Sequence, residues 1–495
     1  VSLDQVSVTE ITRNDRHTDA YLFLLGANDH VLPAVGQSGG ILNDDDREEL
    51  AQRGIRLAPS GMEQMGIELQ NLYAALVQPR EGLVVSYPTA DVSGAELRPA
   101  FVVDRLLTLF PELRIEHEGT DKAYRLTAKI PALETAGTAP GGILWRYFAD
   151  DEVLAPPMAA MERAKARWDS IAKPLGSLGA LEEAVIRIAG MTGSADVDIS
   201  RRAVVVMCAD NGVVAQGVTQ TGQEVTAIVA ENMSTGDTSV CAMARSAGAE
   251  VVPVDIGTAV PLTGARIVQR CVRRGTADMT QGPAMSRGEA VQAVLTGVET
   301  ARELCAGGVR LLATGEMGIG NTTTSSAVAA VLLGQEPVVM TGRGAGLSDA
   351  GLQKKIHAIE TAVAVNRPDP SDVLDVLHKV GGLDIAGLAG VFLGGALCHT
   401  PVLVDGFISS VAALVAARLC PACKDYMLGS HASEEPASRL VLSELGLRPF
   451  LYAGMRLGEG TGAVAVMPLL DMGLAVYREM ATFEDTNIEA YQPLG

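Results

Sequence analysis

The chain has 495 residues, 47% apolar and 20% charged, which excludes a disordered or collagen-like chain and provides material for roughly two to four domains. A net charge of −20 counts against a protein that works chiefly through nucleic-acid phosphates, because such proteins usually carry a basic face. A small anionic ligand stays compatible with that charge, since a few local backbone N–H groups can hold one.

In chain order, the first thirty residues are acidic and mixed, without the pattern of a signal peptide. The chain opens with Val rather than Met, which we read as trimming or a non-standard start codon. Residues 1–150 contain no Cys and include the acidic run from Asn43 to Glu49. Between Lys129 and Leu154 the chain turns loop-like, and a domain boundary is expected near residue 150, with 1–150 and 152–495 as separate domains. Two helices are predicted next, over MAAMERAKARWDSIA and LEEAVIRIAGMTG, joined by Lys173-Pro-Leu-Gly-Ser-Leu-Gly179. Apolar runs then recur, each ending in Gly and polar residues: 203–212, 250–257, 310–321, 337–346, 401–407 and 425–431. Helical segments separate them. Fully apolar strands alternating with helices predict an α/β fold with a parallel sheet covered on both faces. Ligands of such sheets bind at the carboxyl ends of the strands. The longest uncharged stretch, Ile385 to Val404, is rich in Gly and holds one Pro; it predicts a buried helix followed by a buried strand rather than a membrane span.

The seven Cys all lie beyond residue 200, an odd number that makes poor material for a disulfide framework and fits a reducing cytoplasm. Cys420-Pro-Ala-Cys423 alone has metal or redox spacing, and without a second Cys/His pair it reads as two small residues packed at a helix end.

Three glycine-rich turns can carry chemistry. Gly315-Glu-Met-Gly-Ile-Gly-Asn-Thr-Thr-Thr324 follows a strand and opens a helix. It reads either as a phosphate site, with N–H groups at the helix start facing the anion, or as a tight turn capped by Thr. It matches neither a Walker A loop nor a Rossmann fingerprint. Gly342-Arg-Gly-Ala-Gly346, read as a turn after a strand with Lys354 and Lys355 on the next helix, is either the other half of a phosphate clamp or a plain turn. In Met455-Arg-Leu-Gly-Glu-Gly-Thr-Gly462, Glu459 stands between glycines, where it either faces a pocket as a base or favours the start of the following helix. Asp210 and Asp405 sit at strand ends, where each binds a ligand or caps the next helix. His399 and His431 lack a catalytic partner at motif spacing, and no carboxylate spacing argues for a metal.

The blocks KPLGSLG, ADNGVVAQGVT, GEMGIGNTTT, GRGAGL, KVGGLDIAGLAG, PVLVDGF and MRLGEGTGA occur in the same order and at similar separations in one family. Over about residues 152–488 the chain resembles the nicotinate-nucleotide:dimethylbenzimidazole phosphoribosyltransferases of cobalamin lower-ligand assembly. The resemblance implies a Rossmann-like parallel sheet, a smaller helical domain built from both ends of the enzyme region, a homodimer, and no metal or cofactor. It implies transfer of phosphoribose from nicotinate mononucleotide to 5,6-dimethylbenzimidazole. Glu459 falls on the family's catalytic base. Gly318, Ile319, Gly320 and Asn321 fall on its phosphate loop, assisted by Gly344 and Ala345 with Lys355 near, and Thr322 is expected to bind substrate. Glu316 is expected to face the base or ribose, Asp405 to contact substrate, and Met317, Leu457 and Thr221 to line the benzimidazole pocket. Leu175, Asn211 and Val229 depart from the family pattern, and the Val229 change implies looser discrimination, with a different lower-ligand base as an alternative substrate.

Residues 1–150 resemble something else. YLFLLGANDHVLPA, GGILNDDDREELAQRGIRLAP and LYAALVQPREGLVVSYPTAD are similar to the B subunit of ATP-dependent helicase-nucleases, near the end of its helicase region. Gln78 stands where that family carries a phosphate-contacting Arg, and no Walker A loop is present. The resemblance implies a degenerate fragment; the alternative is an interaction or DNA-repair module, against which its 13 basic and 22 acidic residues count.

Overall fold

The computed structural model describes residues 21–24, 27–28, 61–76, 82–87, 97–110, 156–489 and 491. The chain divides into two compact units, Val1–Thr120 and Asp121–Gly495. The boundary expected near residue 150, Gln78 and the acidic run 43–49 lie outside the described residues.

In the first unit, strands β1 (Tyr21–Leu24) and β2 (Gly82–Val85) pair in parallel. The helix Gly61–Leu76 lies between them in sequence, and the helix Phe101–Leu109 follows. Leu24, Ala27, Leu72, Ala100, Val102 and Val103 form a small core.

The second unit is a doubly wound α/β structure. Its strands are β3 (Arg202–Ala209), β4 (Ala249–Gly257), β5 (Val268–Gln269), β6 (Leu311–Met317), β7 (Val402–Val404) and β8 (Met427–Gly429). They form one sheet in the order β5-β4-β3-β6-β7-β8, every pair parallel. The chain moves outward from β3 to β5, then returns to the other side of β3 with β6. That reversal opens a crevice beyond the carboxyl ends of β3 and β6, where open α/β sheets bind their ligands. The central strands are buried on both faces, which explains why they read as continuous apolar runs.

The run 337–346 does not form the expected strand. Pro337–Met340 is a single helical turn with Pro at its start, and Val338 and Val339 are exposed. Proline pre-sets the first helical turn and donates no ladder hydrogen bond, and no strand neighbour buries these valines. The two-residue β5 carries too little pattern to be read in advance.

The uncharged stretch resolves as expected into a helix, Leu383–Leu397, buried along its whole length, and the buried strand β7. The helix lies so close to the helix Arg287–Ala306 that a Cβ on Gly297 would overlap the Gly387 carbonyl. Only glycine fits there. Among the described residues no helix is long and apolar enough to cross a membrane.

Helices from both ends of the unit pack together. Met158–Ser170 meets the last long helix, Thr461–Glu479, where the rings of Trp168 and Tyr477 lie 5.2 Å apart. In the connection to the helix Ala180–Thr192, Lys173 is paired with Glu182 at 2.7 Å, both nearly buried, and sits over the Trp168 ring. Cys420 and Cys423 are buried at the end of the helix Phe407–Leu419, and none of the seven cysteines is in a disulfide.

Candidate active site

A cavity of about 300 Å³ opens over the carboxyl ends of β6, β7 and β8. It is large enough for a small organic ligand. Its floor is the turn from Glu316 to Thr322, its walls come from residues 218–221, 343–347 and 405–409, and the loop 456–459 closes one side. The structure thereby brings together Glu316 to Thr322, Gly344, Ala345, Thr221, Asp405, Leu457 and Glu459. Val229 also lines it. Lys355 does not; it is buried just beneath.

The glycine turn is shaped by its neighbours. Gly318 lies against the Ala209 carbonyl, at the end of β3, and against Asp384, with no room for a side chain. Gly320 has φ +94° and starts the helix Asn321–Leu333. The Ile319 amide donates to Thr226 Oγ1 at 3.1 Å, and Asn321 Nδ2 donates to Glu316. These bonds fix the turn above the switch between β3 and β6.

Lys355, on the helix Asp349–Asn366, donates through Nζ to Thr322 Oγ1 at 2.8 Å and to the Gly342 carbonyl at 3.0 Å. Burial lowers its pKa to about 8, while the Glu435 carboxylate works in the opposite direction. The ammonium thus ties the two glycine-rich turns to each other. The Gly344 amide donates to Glu435 at 2.9 Å.

Glu459 has φ +61°, a left-handed conformation uncommon outside glycine. Its Oε2 accepts from the Val240 amide at 3.2 Å, within the first turn of the helix Ser239–Ser246. Burial raises its pKa, the Val240 hydrogen bond opposes that, and the Asp405 charge adds to it. Gly315, in the middle of β6, faces the Glu459 carbonyl closely enough that a Cβ would collide with it. The Gly458 Cα packs in the same way against Glu316. Glu316 is buried, and its pKa is pushed well up, first by burial and then by neighbouring carboxylates against the Asn321 hydrogen bond.

Asp405 does not cap the helix that follows it. Its two oxygens accept the amides of Gly460 and Ala463, so it caps the helix Thr461–Glu479. Asp210 accepts the Ala259 amide at 2.7 Å, tying the ends of β3 and β4 together instead of capping. His431 is buried in the cavity wall, with Nδ1 3.2 Å from Ser430 Oγ. His399 lies elsewhere, against the Tyr426 hydroxyl at 2.9 Å. His431, which the sequence reading sets aside for want of a partner, lines the cavity with Ser433, Glu435 and Arg456, to which that reading gives no role. Their only advance signal is position: the first three follow β8, and Arg456 precedes Glu459 by three residues. Among the described residues no group of three or more His, Cys, Asp or Glu could hold a metal ion.

A doubly wound sheet with two glycine-rich turns, a buried lysine and a half-buried glutamate beyond the carboxyl ends of its strands is the architecture of an enzyme. Residues 154–488 match the sequence model of a family described as phosphoribosyltransferase, and the chain belongs to that family. It is 48% identical over 342 residues to the nicotinate-nucleotide–dimethylbenzimidazole phosphoribosyltransferase of Acetivibrio thermocellus, covering 69% of this chain and 97% of the relative. To the enzyme of the same name from Chloroflexus aggregans it is 49% identical over 330 residues, 66% of this chain and 94% of that one. The fold is similar to the crystal structure of CobT from Thermus thermophilus, with a TM-score of 0.65 and 40% identity over 67% of this chain and 100% of that chain.

Proposed function

We propose that this cavity transfers phosphoribose from nicotinate mononucleotide to 5,6-dimethylbenzimidazole, giving α-ribazole 5′-phosphate and nicotinate. The reading rests on the relatives of that name, which the chain matches over nearly their full length. The observation that carries the chemistry is Glu459, a half-buried carboxylate of raised proton affinity in the cavity wall beside the glycine turn.

The reaction asks little of the protein. Nicotinate leaves from a cationic ring nitrogen and departs with that nitrogen neutral, so its departure needs no general acid. The attacking benzimidazole nitrogen gains a bond to the anomeric carbon, while the other ring nitrogen must lose its proton. Glu459 takes that proton as general base. Attack on the face opposite nicotinate converts the β-linkage to α in a direct displacement with oxocarbenium character. The turn Gly318 to Thr322, with Gly344 and Ala345, holds the phosphate; Lys355 balances its charge from below. Glu316 faces the ribose or the base, and Met317, Leu457 and Thr221 line the benzimidazole pocket. Asp405 acts on substrate through the Glu459 loop that it holds. Val229 favours tolerance of alternative bases.

We further read residues 1–150 as a degenerate fragment, resembling a helicase-nuclease B subunit, joined to a transferase spanning 152–495; the family match from residue 154 supports that division. The resemblance supports a homodimer. Seven cysteines, none in a disulfide, and the net charge of −20 support a cytoplasmic enzyme whose partners are small molecules rather than nucleic acid.

The test is a turnover assay on the full chain with nicotinate mononucleotide and 5,6-dimethylbenzimidazole, separating nicotinate and α-ribazole phosphate by chromatography. Both products in equal amounts are expected. Their absence, in the full chain and in residues 152–495 alike, would refute the reading.

A further inference from the structure

We propose that Glu435 is an internal stand-in for the substrate's phosphate, holding the phosphate loop with its own carboxylate and giving way when the phosphate arrives. The proposal deepens the functional reading above and rests on its assignment of the turn 342–346 to phosphate.

Three observations carry it. Glu435 Oε1 accepts the Gly344 amide at 2.9 Å, one of the groups assigned to the phosphate. Oε2 is buried without a hydrogen-bond partner, pressed against the Gly342 Cα so closely that a Cβ there would overlap it. Lys355, fully buried, makes its two hydrogen bonds to neutral atoms, Thr322 Oγ1 and the Gly342 carbonyl, while the Glu435 charge acts on it across the loop.

Together these describe an anion site with an anion already in it. A buried carboxylate oxygen without a donor is unfavourable. It is tolerated here because a cation and an amide lie beside it. A phosphate dianion carries the same sign of charge with more acceptor oxygens, and satisfies the same amide and the same ammonium more fully. The two anions cannot share the turn, since like charges a few ångströms apart in a partly dry site repel strongly. Phosphate entry therefore displaces the Glu435 side chain toward the open cavity, which it already lines. Part of the phosphate's interaction goes into that displacement, which weakens the grip on both substrate and product and keeps the lysine and the loop in register between turnovers.

The test uses Glu435→Gln and Glu435→Ala in the full chain. Binding of inorganic phosphate is measured by calorimetry, and kcat and KM for nicotinate mononucleotide by turnover. Removing a competitor strengthens binding: the phosphate Kd and the mononucleotide KM should both fall, on the order of tenfold for Glu435→Ala and less for Glu435→Gln, which keeps an acceptor for Gly344. A brace for the loop would act in the opposite sense. Phosphate binding that is unchanged or weaker in both variants, while the wild type turns over normally, overturns this proposal and leaves the functional reading standing. Wild-type protein that neither binds phosphate nor turns over the mononucleotide removes both.

Discussion

Asp405 accepts the amide of Gly460 at 3.2 Å, one residue beyond Glu459, and through its other oxygen the amide of Ala463 at 2.9 Å. The two bonds make the end of β7 the anchor of the loop that carries Glu459. Asp405→Ala leaves two buried amides without an acceptor and should cost roughly 1–3 kcal/mol of stability. It should lower kcat more than it raises KM, because the loss is in aiming Glu459. Thermal unfolding together with steady-state kinetics reads both, and an unchanged kcat would separate Asp405 from Glu459.

Glu459→Gln keeps the shape and the Val240 hydrogen bond but cannot take up a proton. Turnover should fall by about 10²–10⁴, the usual range for a general base. The KM for nicotinate mononucleotide should stay within a few-fold of wild type. Retention of full turnover would remove Glu459 from the role of base.

The two titrating groups predict a bell-shaped profile of kcat/KM against pH. As the proposed base Glu459 must work deprotonated, and its proton affinity is raised, so activity should be lost as pH falls through a value above that of an ordinary glutamate. In the proposed role of balancing the phosphate, Lys355 must be protonated, and burial lowers its pKa to about 8, so activity should be lost as pH rises through that region. Profiles of wild type and Glu459→Gln identify the acid limb. A Lys355→Met profile without an alkaline limb near pH 8 identifies the other.

Gly315→Ala adds one methyl group to the centre of β6, directly against the Glu459 carbonyl. Overpacking of this kind costs about 1–3 kcal/mol. Here the strain falls on the loop carrying the proposed base, so kcat should drop together with the unfolding midpoint. A stability loss with kcat unchanged would show that the loop position tolerates the shift.

Removing residues 1–150 should leave turnover largely intact, because the cavity is lined entirely by residues of the second unit. A folded but inactive truncation would refute the division near residue 150.

Much of this arrangement can be read from the chain because strand burial and turn chemistry are local. The runs ending at Ala209, Gly257, Met317, Val404 and Gly429 are predominantly apolar, as strands covered on both faces must be. The turns carrying Glu316 and Glu459 announce themselves through glycines that the backbone requires. What escapes is set by distance in sequence. Asp405 looks like the cap of its own helix and serves one that begins 56 residues later, at Thr461. Glu435 and His431 carry no motif and matter only because β8 ends beside β7. Pro337–Met340 has the composition of a strand and no strand to pair with.

The strand order also dictates how this chain must be made. β3 is flanked by β4 and β6, yet β6 begins at Leu311, about a hundred residues after β3 ends at Ala209. At ribosomal speeds of roughly 5–20 residues per second, one edge of an almost wholly apolar strand waits for its neighbour on the order of 5–20 s. During that interval it is a template for pairing with other nascent chains. Yield of active protein should therefore depend on translation rate and on chaperones that shield apolar segments, even for substitutions that leave the finished fold untouched.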